Sequence, residues 1–99
     1  MTDYVFSADV WLHQGTGPWH FVTLPFDMSD EIDERTTAVQ HGFGSVKVEA
    51  TIGSFVWSTS LFPSDSAKSY ILPLKKAARI AEGFGGGDTV TVSLRLVDL

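Results

Sequence analysis

The chain has 99 residues, of which 43% are hydrophobic and 19% charged, and we expect one domain spanning residues 1–99. Twelve acidic against seven basic residues give a net charge of −5, which disfavours nucleic acid and anionic membranes as partners. The chain contains no cysteine, so disulfides, thiolate metal sites and thiol nucleophiles are excluded. No basic leader or membrane-length apolar run is present, and we therefore expect a cytoplasmic protein without membrane contact.

The first part of the chain has the pattern of two strands. Apolar and polar residues alternate from Tyr4 to Leu12, which is the two-residue period of a half-buried strand. Trp11 is the exception, because it lies on the polar side of this alternation. A loop rich in glycine and proline at 14–18 leads to a second strand, Trp19 to Leu24, and we predict that the two strands form a hairpin.

A short surface helix is predicted between Asp27 and Ala38. Acidic residues are concentrated here, and carboxylates in a first turn interact favourably with the helix dipole. Asp27 or Ser29 is available to cap the helix, and Met28 and Ile32 are its strong apolar residues. The acidic run lacks the glycine and glutamate spacing of a calcium-binding EF-hand loop, so we interpret it as a solvated helix terminus.

The clearest pattern is a hairpin centred on Gly53 and Ser54, which provide a two-residue turn. The register predicted on the apolar face pairs Ile52 with Phe55, Ala50 with Trp57, Val48 with Thr59 and Val46 with Leu61. On the polar face the same register pairs Lys47 with Ser60 and Glu49 with Ser58. One face is therefore suited to a core and the other to water.

The last third of the chain predicts a strand, a helix and a strand. The strand runs from Ser69 to Leu72, and the helix begins at Pro73 and ends before Gly83 in a left-handed cap. A single buried stripe is predicted on this helix, formed by Leu74, Ala77, Ala78 and Ala81. A final strand covers Thr89 to Leu96, and the total is about six strands with one or two short helices, a mainly β fold.

Several residue types suggest catalytic or cofactor chemistry, but their spacing does not support it. His13, His20 and His41 show no metal-ligand spacing, and we interpret them as ordinary loop histidines. The glycine-rich stretch 83–88 leaves a helix and enters a strand, the reverse of a phosphate-binding loop. We therefore expect no metal, no cofactor and no identifiable catalytic residue.

A basic helix is the most informative candidate site. Lys68, Lys75, Lys76 and Arg79 bring together four of the seven basic residues, and the last three share one helix face opposite the alanine stripe. One interpretation is a solvated amphipathic face. The other is a site for a phosphate or carboxylate, in a small anionic ligand or an acidic protein partner, with a hydroxyl and an aromatic wall nearby. The predicted ligand-binding residues are Lys75, Lys76, Arg79, Ser60, Trp57 and Tyr70.

The order of motifs resembles the bacterial family known as domain of unknown function 1905. The segments that carry the resemblance are Trp19–Pro25, Val46–Gly53, Thr59–Pro63, Tyr70–Arg79 and Gly87–Val92. The resemblance covers about Phe6 to Val97 and implies a small β-barrel of the double-split type, with no established activity.

The second half is also similar to the swapped-hairpin barrels of AbrB-type transcription factors and MazE-type antitoxins. Leu72-Pro73, the bases from Lys75 to Arg79, and Gly87 to Val92 occupy the corresponding places. This resemblance implies a DNA-binding dimer as the alternative function, but the chain has enough strands for its own barrel and few bases for phosphate contacts. We favour a non-enzymatic binding domain, monomeric or weakly dimeric. An enzyme would instead need a buried polar cluster with a perturbed histidine or carboxylate.

Overall fold

Alternating apolar and polar side chains build the strands of a mainly β barrel. The computed structural model describes residues 3–13, 19–37 and 44–97, and this part of the chain contains seven strands and two helices. The strands are β1 (Tyr4–Asp9), β2 (Trp11–Leu12), β3 (His20–Thr23), β4 (Val46–Ile52), β5 (Phe55–Ser64), β6 (Ser69–Pro73) and β7 (Thr89–Leu96). The helices are α1 (Phe26–Thr36) and α2 (Lys76–Glu82). The predicted fold class, a small mainly β barrel with one or two short helices, is confirmed.

All strand pairs are antiparallel, and their order is β1-β7-β4-β5-β6-β3-β2. The ten-residue strand β5 belongs to both halves of the barrel, because its first part pairs with β4 and its last three residues pair with β6. The two ends of the order, β1 and β2, are consecutive in the chain. The sheet therefore curls back on itself into a nearly closed barrel.

The single strand predicted from Tyr4 to Leu12 is divided at Val10, which is why the structure has seven strands. The N–H of Val10 donates to the carbonyl of Asp88 at 2.8 Å, and the carbonyl of Val10 accepts from the N–H of Gly87 at 2.8 Å. Before this point the chain pairs with β7, and after it Trp11 pairs with Phe21 of β3. The predicted hairpin with β3 is thus formed by β2 alone.

The β4–β5 hairpin has the register that the sequence predicts, from Val46 opposite Leu61 to Ile52 opposite Phe55. Gly53 has a φ of 61°, a left-handed conformation that favours glycine. A Cβ at this position would also collide with the Glu82 carboxylate at the end of α2. The left-handed turn is what favours glycine here, since the flexible Glu82 side chain can move aside.

The core lies inside the barrel and receives side chains from both halves of the sheet and from α1. The largest fully buried side chains are Leu24, Ile32, Leu61, Leu72, Leu94, Val22, Val48, Val92 and Thr36. Ile32 and Thr36 come from α1, so this acidic helix is anchored in the core by few side chains. The two-residue alternation of every long strand then leaves its other side chains on the outside of the barrel.

The predicted cap of α1 is wrong, because the helix begins at Phe26 with Pro25 at the N-cap and no side-chain cap. Ser29 is used differently. Its Oγ is buried and accepts a hydrogen bond from the backbone N–H of Tyr70 at 2.9 Å. The Ser29 hydroxyl, which the sequence pattern predicts as a helix cap, therefore makes a tertiary hydrogen bond instead. This bond joins α1 to β6.

The predicted start of α2 and its buried alanine stripe are also wrong. Pro73 is the last residue of β6, opposite Phe21, and the helix begins at Lys76. Ala78 is buried, whereas Ala77 and Ala81 are exposed. The C-terminal cap is confirmed, since Gly83 is left-handed and its N–H donates to the carbonyl of Arg79 at 2.9 Å.

The core predicts a strong contrast between two large-to-small substitutions. Leu72→Ala removes a fully buried side chain and should lower the free energy of unfolding by about 2 to 5 kcal/mol. Ile80→Ala changes a side chain that is 71% exposed on α2, and its effect should stay within about 0.5 kcal/mol. Urea denaturation measures both. Similar losses in the two variants would contradict the described core.

Candidate functional site

The outer surface of the barrel differs between its two halves. On the β1-β7-β4 half the outward side chains are polar apart from Val5, and several of them pair with one another across strands. Ser7 and Thr91 are 2.8 Å apart, and Thr89 donates to Asp9 at 2.6 Å. Arg95 and Glu49 form an ion pair at 3.2 Å, and the guanidinium lowers the pKa of the Glu49 carboxyl. This half is an ordinary solvated sheet surface.

The other half carries an apolar outer surface that we call the aromatic face. It consists of outward side chains on or beside β2, β3, β6 and the end of β5, namely Trp11, His13, Trp19, Phe21, Phe62, Ile71 and Pro73. The rings of Trp11 and Phe21 stack with centroids 5.0 Å apart, and His13 meets Phe21 edge-on at 6.2 Å. The indole N–H of Trp11 donates to Thr23 Oγ1 at 2.9 Å, which holds the Trp11 ring in place.

A shallow groove of about 430 Å³ runs over the aromatic face. Its lining side chains are His13, Trp19, Phe21, Phe62, Ile71 and Pro73, and none of them is acidic. Trp19 is 57% exposed and Phe62 is 43% exposed, so both of these rings are open to solvent. A groove of this kind offers a partner apolar contact area with few hydrogen-bonding groups.

A basic cluster, which we define as Lys75, Lys76 and Arg79, begins where the aromatic face ends. Phe21 is opposite Pro73 in the β3–β6 ladder, and the N–H of Leu74 donates to the carbonyl of His20 at 2.9 Å. Continuing this register by one residue places Lys75 opposite Trp19. Lys75 has an extended backbone, with φ −62° and ψ 140°, so the outward alternation of β6 continues through it.

Arg79 differs from the two lysines of the basic cluster in its surroundings. Lys75 and Lys76 are exposed, whereas Arg79 is half-buried. Its Nε is buried and has no hydrogen-bond partner among the residues that the structure describes. An unpaired buried donor costs free energy that a hydrogen-bonded anion would recover.

The other three predicted site residues lie in different environments. Ser60 is opposite Lys47 on the outer side of β5, two residues before Phe62. Trp57 is buried on the inner side of the same strand, with its ring 5.9 Å from that of Phe55. Tyr70 is also buried, and its hydroxyl donates to Asp33 Oδ1 of α1 at 3.1 Å. The structure thus places Ser60 near the aromatic face and both predicted aromatic residues on the inner side of the sheet.

Tyr70 also lines an acidic cleft of about 420 Å³ between α1 and the β5–β6 turn. Asp30, Asp33, Asp65 and Lys68 are among its lining residues. Lys68 is therefore part of this cleft at the start of β6, while the basic cluster follows the end of β6. Burial, followed by the hydrogen bond to Asp33, raises the pKa of Tyr70 to about 12. The phenol stays protonated and joins α1 to β6.

The histidines do not form a metal site in the described part of the chain. His20 is buried and His13 belongs to the aromatic face, while His41 lies outside the described residues. Across 3–13, 19–37 and 44–97 no three His, Asp or Glu side chains are grouped so that they could hold a metal ion. Within the same ranges, no helix combines the length and the apolar character that crossing a bilayer demands.

The glycine-rich stretch after α2 is a helix stop and turn, as predicted. Gly83 and Gly87 have positive φ angles, and Asp88 Oδ2 accepts a hydrogen bond from the N–H of Gly85 at 2.8 Å. The Asp88 side chain therefore closes the loop on itself before β7 begins. The backbone carbonyl of Asp88 accepts a hydrogen bond from the N–H of Val10. This bond connects the turn to the point where β1 and β2 are divided.

Sequence reasoning missed the aromatic face, although a signal for it is present. The two segments 19–22 and 70–73 have apolar or aromatic residues on both sides of the strand alternation. Such a pattern is typical of strands covered on both faces. Here one side is covered by the core, and the other is the exposed aromatic face. Trp11, on the unexpected side of its strand, belongs to the same surface.

Fold and surface together define a small β-barrel domain with an apolar outer face and a basic cluster beside it. The chain matches the family described as Domain of unknown function (DUF1905) over residues 6–94, and it belongs to that family. The family resemblance drawn from the sequence motifs is thereby confirmed. A search of curated proteins finds no match to the chain.

Tyr70 provides a pH-dependent test of the acidic cleft. Its pKa lies above the usual 10.0, so the neutral phenol stabilises the fold below about pH 10, and this stability is lost as the pH rises towards about 12. Asp33→Asn should lower the pKa of Tyr70 but leave it above 10.0, because burial is the largest cause of the shift. Phenolate absorbance in a Tyr4→Phe background measures it. An unchanged pKa would contradict the contact with Asp33.

Proposed function

We propose that this domain is a non-enzymatic binding module whose aromatic face holds a protein partner. The observation that carries the proposal is the contrast between the two halves of the barrel. One half pairs its outward polar groups internally, whereas the other exposes Trp19 and Phe62 beside stacked aromatic rings. Contiguous exposed apolar surface with aromatic residues is characteristic of interaction sites.

The energetics favour burial of the aromatic face by a partner. A large aromatic side chain buries about 150 to 250 Å², and apolar area contributes about 25 cal/mol per Å² removed from water. Covering the exposed fractions of Trp19 and Phe62 would therefore contribute on the order of 2 to 3 kcal/mol each. Trp11 and Phe21 are held by stacking and by the hydrogen bond to Thr23, so they lose little freedom on binding.

The chemistry of the aromatic face suits a protein better than a sugar or a nucleic acid. Sugar sites need several polar groups around the ring platform, and the Thr23 hydroxyl is already engaged by Trp11. Single-stranded nucleic acids need cations along the backbone path, whereas the groove is lined by aromatic and aliphatic side chains and one histidine. The protein's net charge of −5 also disfavours binding of a nucleic acid.

The basic cluster is a second part of the proposed binding surface. Its anion-binding role is supported by the buried, unpaired Nε of Arg79 and by the two exposed lysines that precede it. The ligand group it would hold is a carboxylate or a phosphate, on a small anionic molecule or on the protein partner. Ser60 lies near Phe62 and could donate its hydroxyl to the same partner.

The aromatic face can be tested by substituting its two most exposed rings. The Trp19→Ser, Phe62→Ser variant and the unmodified domain are each immobilised and exposed to an extract of the source cells. The variant should retain at least about tenfold less of the partner protein than the unmodified domain does. Ile80→Ser is the matched control, since it removes an even more exposed apolar side chain from α2. Quantitative mass spectrometry of the retained proteins is the readout, and thermal melting checks the folding of each variant. Equal retention by all three proteins would contradict the proposal.

The basic cluster has a separate test by thermal shift. Ligands that bind the native state raise the melting temperature by mass action. Inorganic phosphate or citrate should raise it for the unmodified domain and not for a Lys76→Ala, Arg79→Ala variant. Equal shifts for the two proteins would place anion binding elsewhere. Short duplex DNA is the second ligand tested, and stabilisation by it that the variant loses would favour the DNA-binding alternative.

A further inference from the structure

We propose that the partner of the aromatic face is an extended acidic peptide segment, with apolar side chains on the face and carboxylates at Lys75 and Lys76. The inference rests on the proposed function and specifies its partner. Three features of the described surface support it, which are the size of the aromatic face, the lining of its groove and the distribution of charge at its two ends.

The aromatic face is small. It spans three gaps between neighbouring strands from β5 to β2, about 14 Å, and the five residues from Trp19, just before β3, to Thr23, about 13 Å. The aromatic face has seven members, whereas a stable interface between folded proteins involves about 20 to 30 residues on each side. A stretch of about four extended residues covers such a face completely.

The groove has a lining that suits an extended chain. Phe62 belongs to β5 and Trp19 directly precedes β3, and Phe21, Ile71 and Pro73 line the groove with them. Aromatic-lined grooves on small barrels hold extended or polyproline segments, because alternate side chains of such a segment fall into the spaces between rings. The half-buried ring of Phe21, stacked on Trp11, provides a rigid central contact.

Charge is distributed unequally along β6. The acidic cleft, with Asp30, Asp33 and Asp65, adjoins the start of this strand at Ser69. Lys75 and Lys76 follow its end, directly after Leu74, whose N–H donates to the carbonyl of His20, the chain neighbour of Trp19. Carboxylates on a bound segment would be repelled at the first end and attracted at the second. The surface therefore selects an acidic segment and also its direction along the aromatic face.

A random heptapeptide phage library selected on the immobilised domain tests the inference. We expect the enriched peptides to combine two or more apolar or proline residues with glutamate or aspartate at one end. Selection on the Trp19→Ser, Phe62→Ser variant should fail to enrich them. The best peptide, synthesised with a fluorescent label, then gives dissociation constants by anisotropy.

Matched charge reversals decide the role of the basic cluster. Lys75→Glu should weaken binding of the selected peptide at least about tenfold, and the loss should shrink at high salt because the contact is exposed. Lys68→Glu makes the same charge change in the acidic cleft and should alter the dissociation constant less than about twofold. Replacing the acidic residues of the peptide by glutamine should reproduce the loss seen with Lys75→Glu.

The possible failures are distinguishable from a failure of the proposed function. Peptides that need Trp19 and Phe62 but carry no acidic residues, or that bind Lys75→Glu normally, would overturn the acidic-peptide inference and leave the aromatic face as a binding site. A second outcome also overturns only the acidic-peptide inference. In it, the library gives no peptide whose binding needs Trp19 and Phe62, but a protein in the cell extract does need them for binding, so the partner is a folded surface. If no extract protein depends on them either, both proposals are wrong.

Discussion

Two backbone hydrogen bonds at Val10 determine how this barrel closes. Through them the chain leaves β7 on one side and joins β3 on the other, while the Val10 side chain stays in the core. The alternation then turns the next residue, Trp11, outward onto Phe21. The connection that closes the barrel thus also supplies one of the rings of the aromatic face. A strand that continued along β7 would have left Phe21 without its stacking partner.

The ladder between β3 and β6 has the same double role. Inside, it brings Val22 and Leu72 together in the core. Outside, it sets Phe21 beside Pro73 and directs the chain past Leu74 into the basic cluster. Proline is suited to this last strand position, because it has no N–H to donate and the helix starts soon afterwards. Apolar contact and positive charge become neighbours through backbone pairing alone.

Local patterns predicted the local structure well, and the failures have physical causes. The β4–β5 register followed from a two-residue turn and strict alternation, both of which are contained in one short segment. The alanine stripe of α2 was wrong because β6 runs on through Pro73, and the shorter helix buries Ala78 but not Ala77 or Ala81. The aromatic face depends on pairings between strands distant in sequence, so neither its membership nor its position beside Lys75 could be derived beforehand.

One outer half of the barrel is an open aromatic surface in front of a closed core, and the three tryptophans report on it directly. Fluorotryptophan labelling gives one ¹⁹F resonance for each, assigned by single Trp→Phe substitutions. A soluble paramagnetic reagent should broaden Trp19 most, Trp11 less and Trp57 least, in the order of their exposure. If the Trp19 resonance were broadened as little as that of Trp57, the aromatic face would already be covered. That result would contradict an open binding surface.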